Sequence, residues 1–523
     1  MSYSRSKSFA PKGVFTGWYV DNTPESTLAD KFSPYLRNTR LDWMASIIRP
    51  WHTLLTSFTD TTNPKWLGVY LRTNPANDVM VVRSNESWTE KLVTVQEDWT
   101  KNNITTSALI SSDNKMTFNN IWDVIYCMNW SDDFWKLDWT TYTTPTTGIT
   151  NFAPSYWVVF NSSLFCAGWS TNPNKVYKSV WDDYEDFSST WSDNFTFQEQ
   201  ITWLATNNET LFYFTQNSIA STWASDVTDT WTTISYITRW LQVKWWAVNH
   251  HSIVNAWTNI FFVTPTNKIC RVARWQNIDW FEVFEMSQRQ YAWINKLMAT
   301  LDNDQTDSFW YYLEQDNLIK WFFKSKWASF NDVCVVYDLI QDAFLIDNNK
   351  YFYDWVVFHN KNFTISHIEN KIFQDEFWTD DEDSAIQFRY ETKEFDLWIP
   401  TRKKEFWEAR TYLAINENTS ITQEIYVDWW LIDSKTIDKD NIPITTSWIW
   451  TKSIWTYAVW TWWLNYDDNL YYVDLIRTKW NLQVKGKKIR FVYTCWELSA
   501  RARLENLEMM VEILPTETNN LTL

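Results

Sequence analysis

Histidines and paired carboxylates are the residues of this chain that could perform acid–base or metal chemistry. The chain has five histidines, of which only His250 and His251 are close in sequence. Neighbouring residues of a strand point to opposite faces, so two adjacent imidazoles in a strand do not share a metal ion. We therefore expect a structural or surface role for this pair.

Carboxylate pairs such as Asp182 with Asp183 and Glu185 with Asp186 are common in this acidic chain. A glycosidase needs two carboxylates at a defined separation across the glycosidic bond, which adjacency in sequence does not provide. The acidic run from Asp375 to Asp383 lacks the ligand order and the glycine of an EF-hand loop, so we expect a solvated boundary loop there. No GxSxG, HExxH or Walker sequence occurs. The sequence therefore predicts no enzyme, no metal ion and no cofactor.

Charge and cysteine usage limit the partners and the environment. The net charge is −17, which argues against sequence-independent binding of nucleic acid, because such binding needs Lys and Arg to replace phosphate counterions. The five cysteines, Cys127, Cys166, Cys270, Cys334 and Cys495, have no CxxC spacing and are expected to be buried thiols. The first residues have no apolar secretory core, and no run of about 18 apolar residues predicts a membrane-spanning segment.

Tryptophan stands where chain geometry favours glycine. The chain has 41 Trp and 6 Gly, whereas ordinary usage predicts roughly 37 glycines in this length. Asp-Gly and Asn-Gly are the strongest short hairpin signals because their second residue needs a positive φ. We hypothesise that the gene uses UGA for glycine and that the printed sequence translates UGA as tryptophan. The suspected glycines in turns that follow Asp or Asn are Trp43, Trp99, Trp130, Trp139, Trp280, Trp355 and Trp429.

The element pattern predicts an all-β protein. A loose unit of a short apolar strand, a polar turn and a second strand recurs every 40 to 55 residues or so, the spacing of four-stranded propeller blades. We predict a six- or seven-bladed β-propeller over residues 46–374, preceded by an extended N-terminal arm over 1–45. Period-two alternation after the acidic run predicts a C-terminal β-sandwich-like module over 375–523.

The stretch from Tyr156 to Ile219 carries a resemblance to a known family. With tryptophan replaced by glycine, its segments NPNKVYKSVWDDYEDF and ITWLATNNETLFYFTQNSI resemble the blade pattern of bacteriophage tail hub or nozzle β-propellers of the head–tail connector, packaged-DNA stabilisation type. RNTRLDWMASIIRPWHTLL and YETKEFDLWIPTRKKEFWEARTYLAI are similar to other strands of that family. The matching motif positions are Asn172, Pro173, Asn174, Val176, Tyr177, Ser179, Asp182, Asp186 and Phe187.

The resemblance implies a structural virion protein that is assembled in the host cytoplasm and located in the phage tail. It implies a homo-oligomeric ring or tube below the portal, contacts with portal, adaptor and other tail proteins, and DNA retained and then ejected through a lumen without specific binding. Two alternatives stay open: a stand-alone propeller that binds carbohydrate, and a glycan-acting enzyme with its site in the propeller channel.

Overall fold

The structure is a computed structural model. It describes residues 7–9, 35–37, 39–42, 45–48, 51–57, 66–71, 77–86, 89–96, 101–103, 116–121, 123–129, 134–138, 141–189, 192–207, 210–223, 227–230, 233–236, 239–241, 247, 250–257, 259–274, 281–286, 297–305, 307–347, 350–359, 361–366, 371–378, 387–392, 394–395, 402–415, 419–438, 474–496 and 502–514.

Among the described residues, five strands precede the first repeated sheet. They are β1 (Lys7–Phe9), β2 (Tyr35–Arg37), β3 (Thr39–Asp42), β4 (Ala45–Ile48) and β5 (Trp51–Ser57).

The described residues form seven antiparallel sheets of four strands each, six of them built only from consecutive parts of the chain. The first three sheets are β6 (Trp66–Tyr70), β7 (Val79–Glu86), β8 (Thr89–Val95) and β9 (Lys101–Asn103); β10 (Thr117–Ile121), β11 (Val124–Met128), β12 (Trp135–Asp138) and β13 (Thr141–Thr143); and β14 (Tyr156–Phe160), β15 (Ser163–Ala167), β16 (Lys175–Lys178) and β17 (Asp193–Thr196).

The fourth sheet has a hairpin inserted between its third and fourth strands, and the seventh sheet includes β5, from the N-terminal part of the chain. The fourth is β18 (Ile201–Asn207), β19 (Thr210–Thr215), β20 (Ile219–Trp223) and β23 (Arg239–Leu241), with the hairpin β21 (Val227–Thr230) and β22 (Thr233–Tyr236). The fifth is β24 (Val254–Ala256), β25 (Asn259–Val263), β26 (Ile269–Arg274) and β27 (Phe281–Glu285). The sixth is β28 (Phe309–Leu313), β29 (Leu318–Lys324), β30 (Asn331–Asp338) and β31 (Ala343–Asp347). The seventh is β32 (Phe352–Phe358), β33 (Lys361–Ser366) and β34 (Lys371–Trp378), completed by β5.

Each of these sheets packs on the next, and the last packs on the first. Apolar clusters join sheets one to five in sequence, and the rings of Phe261 and Trp321, 6.4 Å apart, join the fifth to the sixth. Phe322 and Phe352 join the sixth to the seventh. A cluster that includes Met80 joins the seventh sheet back to the first. The protein is therefore an all-β chain with a β-propeller, and the described residues contain seven such sheets.

Short, fully buried strands explain why these segments fold as sheets. All five residues of β15, SLFCA, are buried, as are all six of β19, TLFYFT. A short apolar run of this length, covered on both faces by neighbouring sheets, buries its side chains best in the extended conformation. The five cysteines are buried thiols, as predicted.

Two further sheets contain the C-terminal strands β35 (Phe388–Glu391), β36 (Lys404–Ile415), β37 (Ile421–Val427), β38 (Trp430–Ile437), β39 (Asp474–Gly486), β40 (Ile489–Cys495) and β41 (Ala502–Ile513). One sheet has the order β3-β4-β41-β36-β39, with β1 also on β41, and the other has the order β2-β35-β40-β37-β38. Buried polar side chains from both sheets meet: Gln423 Nε2 donates to Thr411 Oγ1 at 2.9 Å, and Thr411 Oγ1 lies 3.0 Å from the Tyr493 hydroxyl. This is the arrangement of a β-sandwich.

The chain forms two compact units, one of Thr53–Asp342 with Asn348–Asp375 and one of Met1–His52, Ala343–Asp347 and Glu376–Leu523. Strands β1 to β4 belong to the second unit because their partners, such as β41 for β1 and β35 for β2, lie in the C-terminal part of the chain.

Two local expectations are wrong. His250 and His251 lie on a 3-10 helix, His250–Ser252, and not in a strand. The acidic run is not wholly a solvated loop, because Asp375 lies in β34 with a buried side chain. None of the described helical segments is long and apolar enough to span a membrane.

Candidate functional site

The Asn-Pro-Asn step of the family motif forms the turn between β15 and β16. The Asn172 amide donates to Trp169 O at 3.0 Å, and Asn172 O accepts from Lys175 N at 3.1 Å. Asn174 Nδ2 donates to Phe197 O at 2.9 Å, and Pro173 O accepts the amide of Ile201, the first residue of β18, at 2.8 Å. These three motif residues therefore close a turn and tie the third sheet to the start of the fourth.

The next motif residues, Val176, Tyr177 and Ser179, lie in or just after β16 and are buried. Burial raises the pKa of Tyr177, and a hydrogen bond from Asn172 opposes this shift. Ser179 Oγ accepts the Leu164 amide at 2.9 Å and donates to Val180 O at 3.0 Å. The serine therefore satisfies backbone groups and is not placed as a nucleophile.

The acidic part of the motif is a hydrogen-bonded turn. Asp182 has a φ of 57°, and its amide donates to Ser162 O at 2.8 Å. Asp186 Oδ1 accepts the amides of Ser188 and Ser189 at 2.9 and 3.0 Å, and these bonds lower the pKa of the Asp186 carboxyl, that from Ser188 most. A carboxylate held ionised by its own turn is a poor general acid.

Sequence patterns did not identify the ion pair at the junction of the second and third sheets. Glu185 accepts from Lys136 Nζ at 2.7 and 2.8 Å and from the Tyr126 hydroxyl at 3.1 Å. Burial raises the pKa of Tyr126, and the charge of Glu185 raises it further. The last motif residue, Phe187, packs in the apolar cluster at this junction, with its ring 5.0 Å from that of Phe152.

A cavity of about 350 Å³ lies at the same junction. The loop from Thr144 to Phe152 lines it together with Phe134, and no lining residue carries a charge. The Phe187 amide donates to Thr147 O at 3.2 Å, which fixes the loop against the acidic turn. Hydroxyl, amide and backbone groups beside aromatic edges could hydrogen-bond a small neutral polar ligand, but they supply no acid, base or nucleophile of unusual pKa.

The suspected glycines have different outcomes. Trp43, Trp99, Trp130, Trp139 and Trp280 lie outside the described residues.

Trp355 does not lie in a turn. It lies within β32, just after a register shift between Phe352 and Asp354, and its half-buried ring is 5.1 Å from that of Tyr311. The prediction of a turn at Asp354–Trp355 is therefore wrong, because both residues are part of an irregular strand. Trp429, in contrast, lies in the two-residue turn between β37 and β38 with a φ of 75°.

A buried ion cluster joins the sixth and seventh sheets. Asp375 accepts from Lys320 Nζ at 2.7 Å through Oδ2 and from Lys350 Nζ at 2.5 Å through Oδ1. The Tyr311 hydroxyl donates to the same carboxylate. All four side chains are buried, so the cluster serves packing and sheet closure and is not accessible to a substrate.

The described part of the chain has no group of three or more His, Cys, Asp or Glu side chains that could hold a metal ion. No protein-family model matches the chain, and no curated protein sequence matches it. Among solved structures, YCF48 bound to D1 peptide matches with a TM-score of 0.39 and 10% identity over 62% of this chain and 95% of that one. Chaetomium thermophilum Raptor matches with a TM-score of 0.38 and 8% identity over 62% of this chain and 29% of Raptor. Likenesses this weak carry no argument about function.

Proposed function

We propose that this chain is a structural virion protein of a bacteriophage tail, forming a homo-oligomeric ring or tube below the portal that retains and conducts DNA. The observation that carries the proposal is the stretch from Asn172 to Phe187. Its residues resemble the phage tail nozzle pattern, and their side chains support turns and a sheet junction instead of forming a reactive centre.

Rigidity and charge support the same role. The seven sheets pack in a closed series whose last member takes β5 from the start of the chain, an arrangement that leaves only short, protected sheet edges. The net charge of −17 disfavours adhesion of DNA, as a lumen that conducts DNA requires. The partners proposed are other copies of this chain, portal and adaptor rings, and DNA that is not bound specifically.

Negative-stain electron microscopy and sedimentation of the purified chain, alone and with portal and adaptor rings, test the proposal. We expect closed rings or a complex with those rings. A monodisperse monomer that binds neither partner would contradict the proposal.

A carbohydrate-binding propeller is the second candidate, and the uncharged, threonine-lined cavity at Thr144–Phe152 favours it. Its volume is at the lower end for small-molecule sites. A glycan array probed with the purified chain distinguishes the two: specific glycan binding that Thr146→Val and Thr150→Val abolish supports this candidate, whereas an array without signal opposes it.

A further inference from the structure

We infer that glycine occupies positions 257 and 429 in the protein made by its native host, because these are the two described positions at which a tryptophan adopts a left-handed backbone. Trp257 has a φ of 53° and Trp429 a φ of 75°. The other described non-glycine residues with positive φ are mostly Asn and Asp, which tolerate this region because their short side chains can hydrogen-bond locally. A bulky indole has no such compensation.

The turn at Trp429 has the geometry that selects glycine. Asp428 and Trp429 form the two-residue connection between β37 and β38, and both φ values are positive, 44° and 75°. A two-residue hairpin turn with positive φ at both positions is of type I′, for which Asp-Gly is a preferred sequence. The Asp428 carboxylate accepts the amides of Lys487 and Lys488 at 2.9 Å, so it ties this turn to the connection between β39 and β40.

The two indoles gain little from their surroundings. Trp429 is 66% exposed and Trp257 56% exposed, so neither contributes much apolar burial. The guanidinium of Arg490 lies 5.8 Å and Lys488 Nζ lies 6.0 Å from the Trp429 ring. Trp257 Nε1 donates to Asn317 Oδ1 at 3.1 Å in an exposed bond. Each of these exposed contacts is worth about 0.5–1 kcal/mol, against about 1–2 kcal/mol for a left-handed backbone.

Trp321 shows the opposite case. Trp321 lies in β29, is fully buried and fills space beside Phe261, so glycine there would leave a cavity. Glycine is therefore assigned only to positions 257 and 429. With glycine there, no exposed indole is present at these two positions to stack on sugars or bases. This assignment does not depend on the proposed tail function.

Peptide mass spectrometry of the protein isolated from its native host tests the assignment directly and does not require refolding. Peptides that span positions 257 and 429 should carry glycine, and tryptophan at either position would overturn the inference for that position.

A second measurement uses the full printed sequence made from a synthetic gene. Trp257→Gly and Trp429→Gly should each raise the thermal midpoint by about 2 to 4 °C. The matched control Trp321→Gly should lower it, because that change empties a buried site. A midpoint that falls in both turn variants would contradict the assignment.

Discussion

The carboxylate of Asp375 should be among the most sensitive positions of the propeller. Asp375→Asn keeps the size of the side chain and removes the negative charge that Lys320 and Lys350 contact at 2.7 and 2.5 Å. All three side chains are fully buried, so water cannot replace the lost charge without opening the junction of the sixth and seventh sheets.

The expected magnitude follows from the cost of breaking a buried ion pair. Removing one partner of such a pair costs about 3–5 kcal/mol, since it leaves buried charge uncompensated. The Tyr311 hydroxyl also changes from a charge-assisted bond to a weaker neutral one. We expect the free energy of unfolding to decrease by about 3–5 kcal/mol, which lowers the urea midpoint by roughly 1 M at the high m-value of a chain this long.

Urea unfolding followed by tryptophan fluorescence measures this change. Glu185→Gln is the matched control, because its pair with Lys136 is about one quarter exposed on each side and should be worth about 1 kcal/mol or less. Replacing Lys320, Lys350 and Asp375 together by apolar residues should recover most of the loss. If Asp375→Asn unfolds at the same urea concentration as Glu185→Gln, the account of the cluster is wrong.

Three further changes test other parts of the structure. Ser179→Ala should cost about 1–3 kcal/mol because the buried Leu164 amide loses its acceptor, and an unchanged urea midpoint would contradict the role given to Ser179. Hydrogen bonds, chiefly the one from Thr215, lower the pKa of Glu199 below its ordinary value of 4.5. The ionised Glu199 therefore stabilises the folded chain above pH 4.5, and this stabilisation is lost as the pH falls through the lowered pKa of the folded state. Glu199→Gln should therefore make the thermal midpoint less sensitive to acid, and an acid dependence identical to that of the parent chain would refute this. Gln423→Leu should lower the free energy of unfolding of the sandwich by about 1–3 kcal/mol, and no loss in urea unfolding would show that its bond to Thr411 is dispensable.

Local sequence patterns predict the structure correctly where residues adjacent in the sequence determine it. The recurring unit of short apolar strands predicts sheets such as those of β15 and β19, and the Asp428–Trp429 dipeptide predicts a hairpin turn, because strand burial and turn geometry depend on a few adjacent residues.

Long-range partners could not be predicted in this way. The sequence around Asp375 predicts a solvated acidic loop, and only the fold shows that lysines 55 and 25 residues earlier contact this carboxylate. The pairing of Lys7 with Val511 likewise joins the two ends of the chain, and no periodicity within either segment encodes it. The same holds for the pair of Lys136 with Glu185, which depends on the packing of two sheets.

The central claim is that this chain is part of a phage tail. Immunogold electron microscopy of purified virions, with antibodies raised against the full chain, tests it most directly. The account predicts label on the tail, concentrated near its junction with the head. Virions that carry no label and contain no peptide of this chain by mass spectrometry would contradict it.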